Sequence, residues 1–160
     1  MQNYQRPVSE FDETVVEIKR VSKKTKGGNQ IRFSALVVIG DKKGKVGVGL
    51  AKAPDVSSAI RKSIEAAKKK MITVPMKGNT VPYSVIEKFS AAKVLIKPAP
   101  SGSGIIAGGP TRVVLEAAGI KDAVAKVMGT KNKVSNVYAT LNALKTIAKI
   151  DMHKKSLEKT

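Results

Sequence analysis

Apolar positions first alternate and then recur at helical spacing, and this succession predicts the elements of the first half of the chain. Val15 to Val21 is rich in β-branched residues, with Val16 and Ile18 on one side and Glu17 and Lys19 on the other, which predicts a strand. Ile31 to Ile39 predicts a stronger strand whose face is Ile31, Phe33, Ala35, Val37 and Ile39. Gly40-Asp41-Lys42-Lys43-Gly44 reads as a turn. Lys45 to Leu50 then returns as a third strand, with Val46, Val48 and Leu50 alternating against Gly47 and Gly49. Those glycines leave one strand face bare, which suits close approach by a helix or another backbone. Asp55, after Pro54, is placed to cap a helix whose buried stripe is Val56, Ala59, Ile60, Ile64, Ala67 and Met71. A three-stranded meander closed by one amphipathic helix is the expected first unit.

Pro75, Gly78-Asn79 and Pro82 interrupt the chain and set a boundary near residues 72–75. Short strands are expected around Thr73–Met76, Ser84–Phe89 and Lys93–Lys97, followed by a glycine-rich loop. Pro110 suits the first turn of a short helix and Gly119 its end, so the helix is expected from Pro110 to Ala118. A strand over Asp122–Met128 follows. From about Val134, the positions Val134, Val137, Tyr138, Leu141, Leu144 and Ala148 predict a second long helix. Residues 1–10 show no periodicity and are expected to form a flexible arm, and the polar residues 151–160 a frayed tail. The expected class is α+β in two small domains, residues 11–73 and 74–150.

Charge narrows the function. Lys and Arg number 30 against 12 Asp and Glu, for a formal net charge of +18. The excess is spread evenly: residues 1–72 hold 16 basic and 7 acidic residues, residues 73–160 hold 14 and 5. Both halves are therefore expected to face an anionic partner, nucleic acid first. No apolar run approaches the roughly 18 to 20 residues of a membrane span, so no membrane partner is expected. Cysteine is absent, which removes disulfides and thiolate metal sites and suits a reducing compartment. One histidine, His153 in the charged tail, leaves little for metal or proton-transfer chemistry, and neither metal nor cofactor is expected. Aromatic residues are 4% of the chain and none interleaves with the lysines, which favours backbone and shape contacts over base stacking.

Two lysine-rich segments bracket the meander. Lys23-Lys24-Thr25-Lys26-Gly27-Gly28-Asn29-Gln30 is expected as a glycine-hinged loop able to wrap phosphates, against the alternative of an ordinary solvated hairpin loop. The companion turn Lys42-Lys43-Gly44-Lys45 and the overall charge favour RNA. The candidate RNA-binding set is Lys23, Lys24, Lys26, Gly27, Gly28, Arg32, Lys42, Lys43, Lys45 and Lys52. The helix face Arg61, Lys62, Lys68, Lys69 and Lys70 lies mainly opposite the apolar stripe and reads first as a solvated face.

Ala99 to Arg112 holds four glycines and two prolines in fourteen residues, which prescribes a loop whose backbone comes very close to something. Gly102 to Ala107 fits the dinucleotide pattern G-x-G-x-x-A, with Asp122 about 20 residues on. Pro98 and Pro100 separate it from the preceding strand, however, and the helix starts only near Pro110. Gly104 to Gly109 spaces like a phosphate-binding loop, but Pro110 stands where that loop needs lysine. The outer glycines of a nucleophile elbow are missing and no acid–base pair is identifiable nearby. Gly104, Gly108, Gly109 and Arg112 therefore read as a close-packing or protein-interface loop, not as a catalytic one.

With these residues in view, the chain resembles the bacterial small-subunit ribosomal protein five family. The resemblance runs from roughly Glu13 to Ile147. It rests on Val21-Ser22-Lys23, Lys26-Gly27-Gly28, Val38-Ile39-Gly40-Asp41, Gly44 to Gly49 leading to Ala51-Lys52-Ala53, Gly104 to Gly109 before Arg112, Val114-Leu115-Glu116 and Ala118-Gly119. Asn132 keeps the family residue, whereas Ser135 replaces its usual asparagine and Tyr138 its usual basic residue. The resemblance implies a double-stranded-RNA-binding-like βββα first domain and an α/β sandwich second domain with a left-handed βαβ crossover. It further implies a non-enzymatic, cytoplasmic component of the small ribosomal subunit that binds rRNA at the head–body junction. Contacts with ribosomal proteins four and eight, a place beside the path of incoming messenger RNA, and an influence on decoding accuracy follow from the same resemblance. So does a link between the Ser22–Gly28 segment and spectinomycin resistance. A free-standing nucleotide-binding enzyme and a free-standing double-stranded-RNA regulator are the competing classes.

Overall fold

A computed structural model describes residues 9–160. Strands β1 (Asp12–Thr25), β2 (Gly28–Gly40) and β3 (Lys45–Ala53) form an antiparallel meander, helix α1 (Val56–Lys69) follows, and β4 (Ile72–Thr73) adds to the free edge of β3. The Ser58 amide donates to the Asp55 carboxylate at 3.0 Å, so α1 starts at its expected cap. The helix lies on the sheet face made by Ala35, Val37 and Ile39. Gly47 and Gly49 let it come that close: a Cβ at Gly47 would stand 2.6 Å from the Ala67 carbonyl oxygen, and one at Gly49 would overlap that of Ser63. Ser63 is itself buried, with its hydroxyl 2.8 Å from the carbonyls of both Ala35 and Ala59.

Two details depart from the sequence reading. β1 and β2 run on to Thr25 and Gly28, so the expected lysine loop is strand except for a two-residue tip at Lys26-Gly27. Cross-strand hydrogen bonding out to Thr25↔Gly28 outweighs the turn-forming character of Gly27-Gly28. A bulge between Val15 and Glu17 also shifts the register. Val16 consequently packs toward the main core, while Ile18 pairs with Ala35 on the α1 face. They do not share a side as the alternation implied.

The second sheet has the order β5 (Val85–Phe89), β6 (Ala92–Pro98), β8 (Ala123–Met128), β7 (Ile105–Ile106). β7 and β8 are parallel and are joined through α2 (Gly109–Ala118), while the other pairs are antiparallel. α3 (Lys133–Glu158) covers β5 and β6 and packs against α2. The strand expected over Thr73–Met76 is instead the two-residue β4 of the first sheet, because Pro75 has no amide hydrogen to continue it. The tail expected to fray after Ile150 is helical to Glu158. Lys155 bonds Asp151 at 2.7 Å, and Lys154 sits 4.3 Å from the Tyr83 ring centroid. The flexible arm expected over residues 1–10 lies, up to residue 8, outside the described residues.

Sheet one is covered on both faces. Leu36, Val38, Val46 and Val48, on the face away from α1, belong to one core cluster with Val114, Leu115, Val137, Leu144 and Ile147. This explains the uninterrupted apolar run Ala35–Ile39: neither face meets water. The β2–β3 turn seals the junction. The amides of Lys42 and Gly44 donate to the carbonyls of Ala117 (3.1 Å) and Ala118 (2.9 Å), satisfying groups that the end of α2 leaves without helical partners. Gly119 closes the helix in the left-handed conformation, φ 89°.

Candidate nucleic-acid interface

β2 is paired with β3 only from Phe33 onward, so the five residue pairs from Val21↔Arg32 to Thr25↔Gly28 project as a two-stranded ribbon, roughly 16 Å long at strand rise. Cross-strand neighbours share a face, and this places Lys23 and Arg32 on the side to which β3 contributes Lys52. With Val21, Ser22 and Gln30 these three cations line one cleft of about 330 Å³. No carboxylate lies on the ribbon, and none of the four ion pairs among the described residues involves Lys23, Arg32 or Lys52. Three cations free of carboxylate partners, beside the Gln30 amide, can take phosphate oxygens and ribose hydroxyls. Lys24 points to the opposite face, and Lys26 and Gly27 form the tip.

The remaining basic candidates stand elsewhere. Lys42, Lys43 and Lys45 lie at the far end of β2, about 40 Å from the tip at strand rise. All three are exposed, and Lys42 pairs with Asp12 at 3.2 Å. Within the turn, partial burial pushes the Asp41 carboxyl up, but hydrogen bonds from the amides of Lys43 (2.8 Å) and Lys45 (3.0 Å) prevail and hold it below its ordinary value. The ten candidates thus form two groups, at the two ends of the meander as their segments implied.

Lys42 instead joins the glycine loop. Together with Asp12, Gly104, Arg112, Glu116 and Lys121 it lines a cleft of about 680 Å³ between the start of β1 and α2. Arg112 and Glu116, both more than half exposed, pair one helical turn apart at 3.1 Å. Asp122 is buried and accepts the Gly104 amide at 2.9 Å, so the carboxylate expected of a ribose-binding residue is spent on holding the loop. Gly102 and Gly104 have φ of 90° and 71°. A Cβ at Gly104 or Gly109 would meet nothing, and one at Gly108 only ordinary contact with Val127. The close neighbour that the loop composition prescribes is therefore not another part of the described chain.

At the two departures from the family pattern, Ser135 is buried and Tyr138 stacks on Phe89 with ring centroids 5.2 Å apart. Burial pushes the Tyr138 hydroxyl pKa up. Gln30 is a contributor that the candidate set lacks, and its pairing with Lys23 reveals it; Asp122, read as a position for a ribose-binding carboxylate, instead holds the glycine loop.

Comparison with known families gives two matches in chain order. The model described as "Ribosomal protein S5, N-terminal domain" matches residues 11–75, the meander with α1 and β4. The one described as "Ribosomal protein S5, C-terminal domain" matches residues 87–156, from β5 into the last turns of α3. With both halves matched in order over most of its length, the chain belongs to the ribosomal protein S5 family, structural proteins of the small ribosomal subunit that bind its RNA and are not enzymes.

Proposed function

We propose that this protein anchors small-subunit rRNA through the projecting β1–β2 ribbon, at the head–body junction of a bacterial-type subunit. The observation that carries the reading is the convergence of Lys23, Arg32 and Lys52 on one cleft with no acidic residue nearby. Neutralising phosphate is what lets RNA helices pack against protein and against one another, and a cation cluster on a narrow ribbon delivers that charge between them. Lys24, Lys26, Gly27 and Gly28 extend the contact around the tip.

The second cleft serves protein neighbours. Gly104, Gly108, Gly109 and Arg112 form a surface that none of the described residues occupies, rimmed by both signs of charge, as suits a polar protein–protein contact. Ribosomal protein four is the neighbour assigned to this loop and ribosomal protein eight a second partner, with the messenger path alongside and decoding accuracy dependent on the contact. Lys42, Lys43 and Lys45 act at this end of the molecule. The domain limits proposed are 11–73 and 74–158, the second carried past the expected 150 because α3 runs unbroken to Glu158. Binding to small-subunit rRNA over a range of salt concentrations tests the reading. Each neutralised phosphate contributes about −0.7 to −0.9 to the slope of log K against log salt, and a slope near zero refutes it.

A further inference from the structure

Packing of the two sheets leaves one extended surface bare. α3 and α2 cover the inner face of the second sheet, where Ala92, Val94, Ile96, Ala123 and Ala125 are buried. Among the described residues no helix or strand crosses the outer face. Paired residues share a face, so Ile86↔Leu95 and Val124↔Ile106, with Leu95 and Val124 diagonal neighbours across β6–β8, set four apolar side chains in a band running obliquely across β5, β6, β8 and β7. The band is open to solvent at both ends: Ile86 is 54% exposed and Ile106 59%.

Its borders carry one sign of charge. Lys88 and Lys93 are paired on one side, Lys126 stands beside Leu95, and Lys97 stands beside Val124. All four are exposed. Glu87, the one carboxylate in these strands, turns inward and accepts a hydrogen bond from the Thr146 hydroxyl at 2.7 Å.

We propose that this face docks an acidic amphipathic helical segment of a protein partner, its apolar stripe on the Ile86–Leu95–Val124–Ile106 band and its carboxylates on the flanking lysines. Three interstrand spacings and one two-residue shift along the strands make the band about 16 Å long, which three helical turns span. Charge complementarity selects an anionic partner, and the apolar centre selects one that can dehydrate it, which a phosphate backbone cannot do. The contrast with the ribbon is instructive, since there Arg32 and Gln30 supply the planar and neutral donors that RNA contacts use. The outer sheet face has lysine alone. Nor does it hold an aromatic residue of the kind that seats proteins in lipid: Phe89 is turned inward onto Tyr138. The proposal is independent of the RNA reading of the ribbon.

The test uses the full chain in fluorescence anisotropy against a labelled helical peptide with leucines at i, i+3, i+4 and i+7 and flanking glutamates. A peptide of the same composition in scrambled order, a structured small-subunit rRNA fragment, and phosphatidylcholine–phosphatidylglycerol vesicles are the comparisons. The patterned peptide is expected to bind about tenfold tighter than the scrambled one. The double variant Ile86→Ser, Ile106→Ser, at positions already more than half exposed, should weaken that binding about tenfold while its thermal midpoint and RNA affinity stay unchanged. Lys93→Glu with Lys126→Glu should weaken it similarly. Equal affinity for the two peptides, or peptide binding unaffected by either double variant, overturns the proposal. So does loss of RNA or vesicle binding in the Ile86→Ser, Ile106→Ser variant, which would reassign the face to that partner. Failure of the unmodified chain to bind RNA would count against the ribbon reading alone.

Discussion

The Lys42 amide donates to the Ala117 carbonyl, while the Lys42 carbonyl lies so close to Gly119 that a Cβ there would overlap it. Turn and helix end are fitted backbone to backbone, and neither can shift without the other. Gly119→Ala combines that overlap with a left-handed φ, and is expected to destabilise the isolated protein by about 1–3 kcal/mol or more. Urea unfolding checks it, and a loss within a few tenths of a kcal/mol would show that the junction yields.

Gly109→Ala gives the opposite expectation. The position opens α2, has no positive φ, and a Cβ there meets none of the described residues. Stability of the isolated protein should hold or rise by up to about 1 kcal/mol, as for glycine to alanine at an unstrained helical site. Incorporation into small subunits, or fidelity in a stop-codon readthrough reporter, should nevertheless suffer. Unchanged incorporation and readthrough would remove Gly109 from any interface.

Replacing Lys23, Arg32 and Lys52 together by glutamine should flatten the salt dependence of rRNA binding by about two in slope, one phosphate contact per cation. Replacing Arg61, Lys62 and Lys68, which are exposed on α1, should change it less. The reverse ranking would move the RNA surface from the ribbon to the helix.

Two carboxylates tie stability to acid. Hydrogen bonds from the Ser58 amide and hydroxyl hold Asp55 below its ordinary pKa, and the Lys43 and Lys45 amides overcome partial burial to do the same for Asp41. A carboxyl with a lower pKa folded than unfolded adds stability above the unfolded value of 3.8. That stability is lost as pH falls through the folded value. Denaturant midpoints should therefore decline below about pH 4, and Asp41→Asn with Asp55→Asn should shallow that decline. An unaltered profile would mean that both caps form equally well when protonated.

Much of the fold was legible because local rules and tertiary packing agree. Asp55 caps α1, Gly119 ends α2, and the paired glycines of β3 mark where α1 lies. The misreadings share a cause, in that a partner distant in sequence decides the outcome. The bulge at Val15–Glu17 is a property of the β1–β2 pairing and not of the β1 residues. Ser63, polar within an apolar stripe, is buried because Ala35 offers it a carbonyl. Residues 151–158 stay helical through Asp151, Lys155 and the Tyr83 ring, an arrangement invisible to apolar periodicity. At the candidate site the lysines were identifiable one by one. Register alone brings Lys23, Arg32 and Lys52 to one face and sends Lys24 to the other.

The face of sheet one formed by Leu36, Val38, Val46 and Val48 is closed largely by residues that follow later in the chain, among them Val114, Leu115, Val137, Leu144 and Ile147 of α2 and α3. A ribosome making this protein at about 5–20 residues per second completes that face several seconds before its cover exists. For that interval the nascent chain displays a water-exposed aliphatic surface beside a strongly cationic ribbon, in surroundings crowded with RNA. The lag between exposure and closure predicts that the growing chain depends on chaperones that shield apolar surface during synthesis. Slowing translation between residues 75 and 114 should lengthen that dependence, whereas slowing it after residue 147 should not.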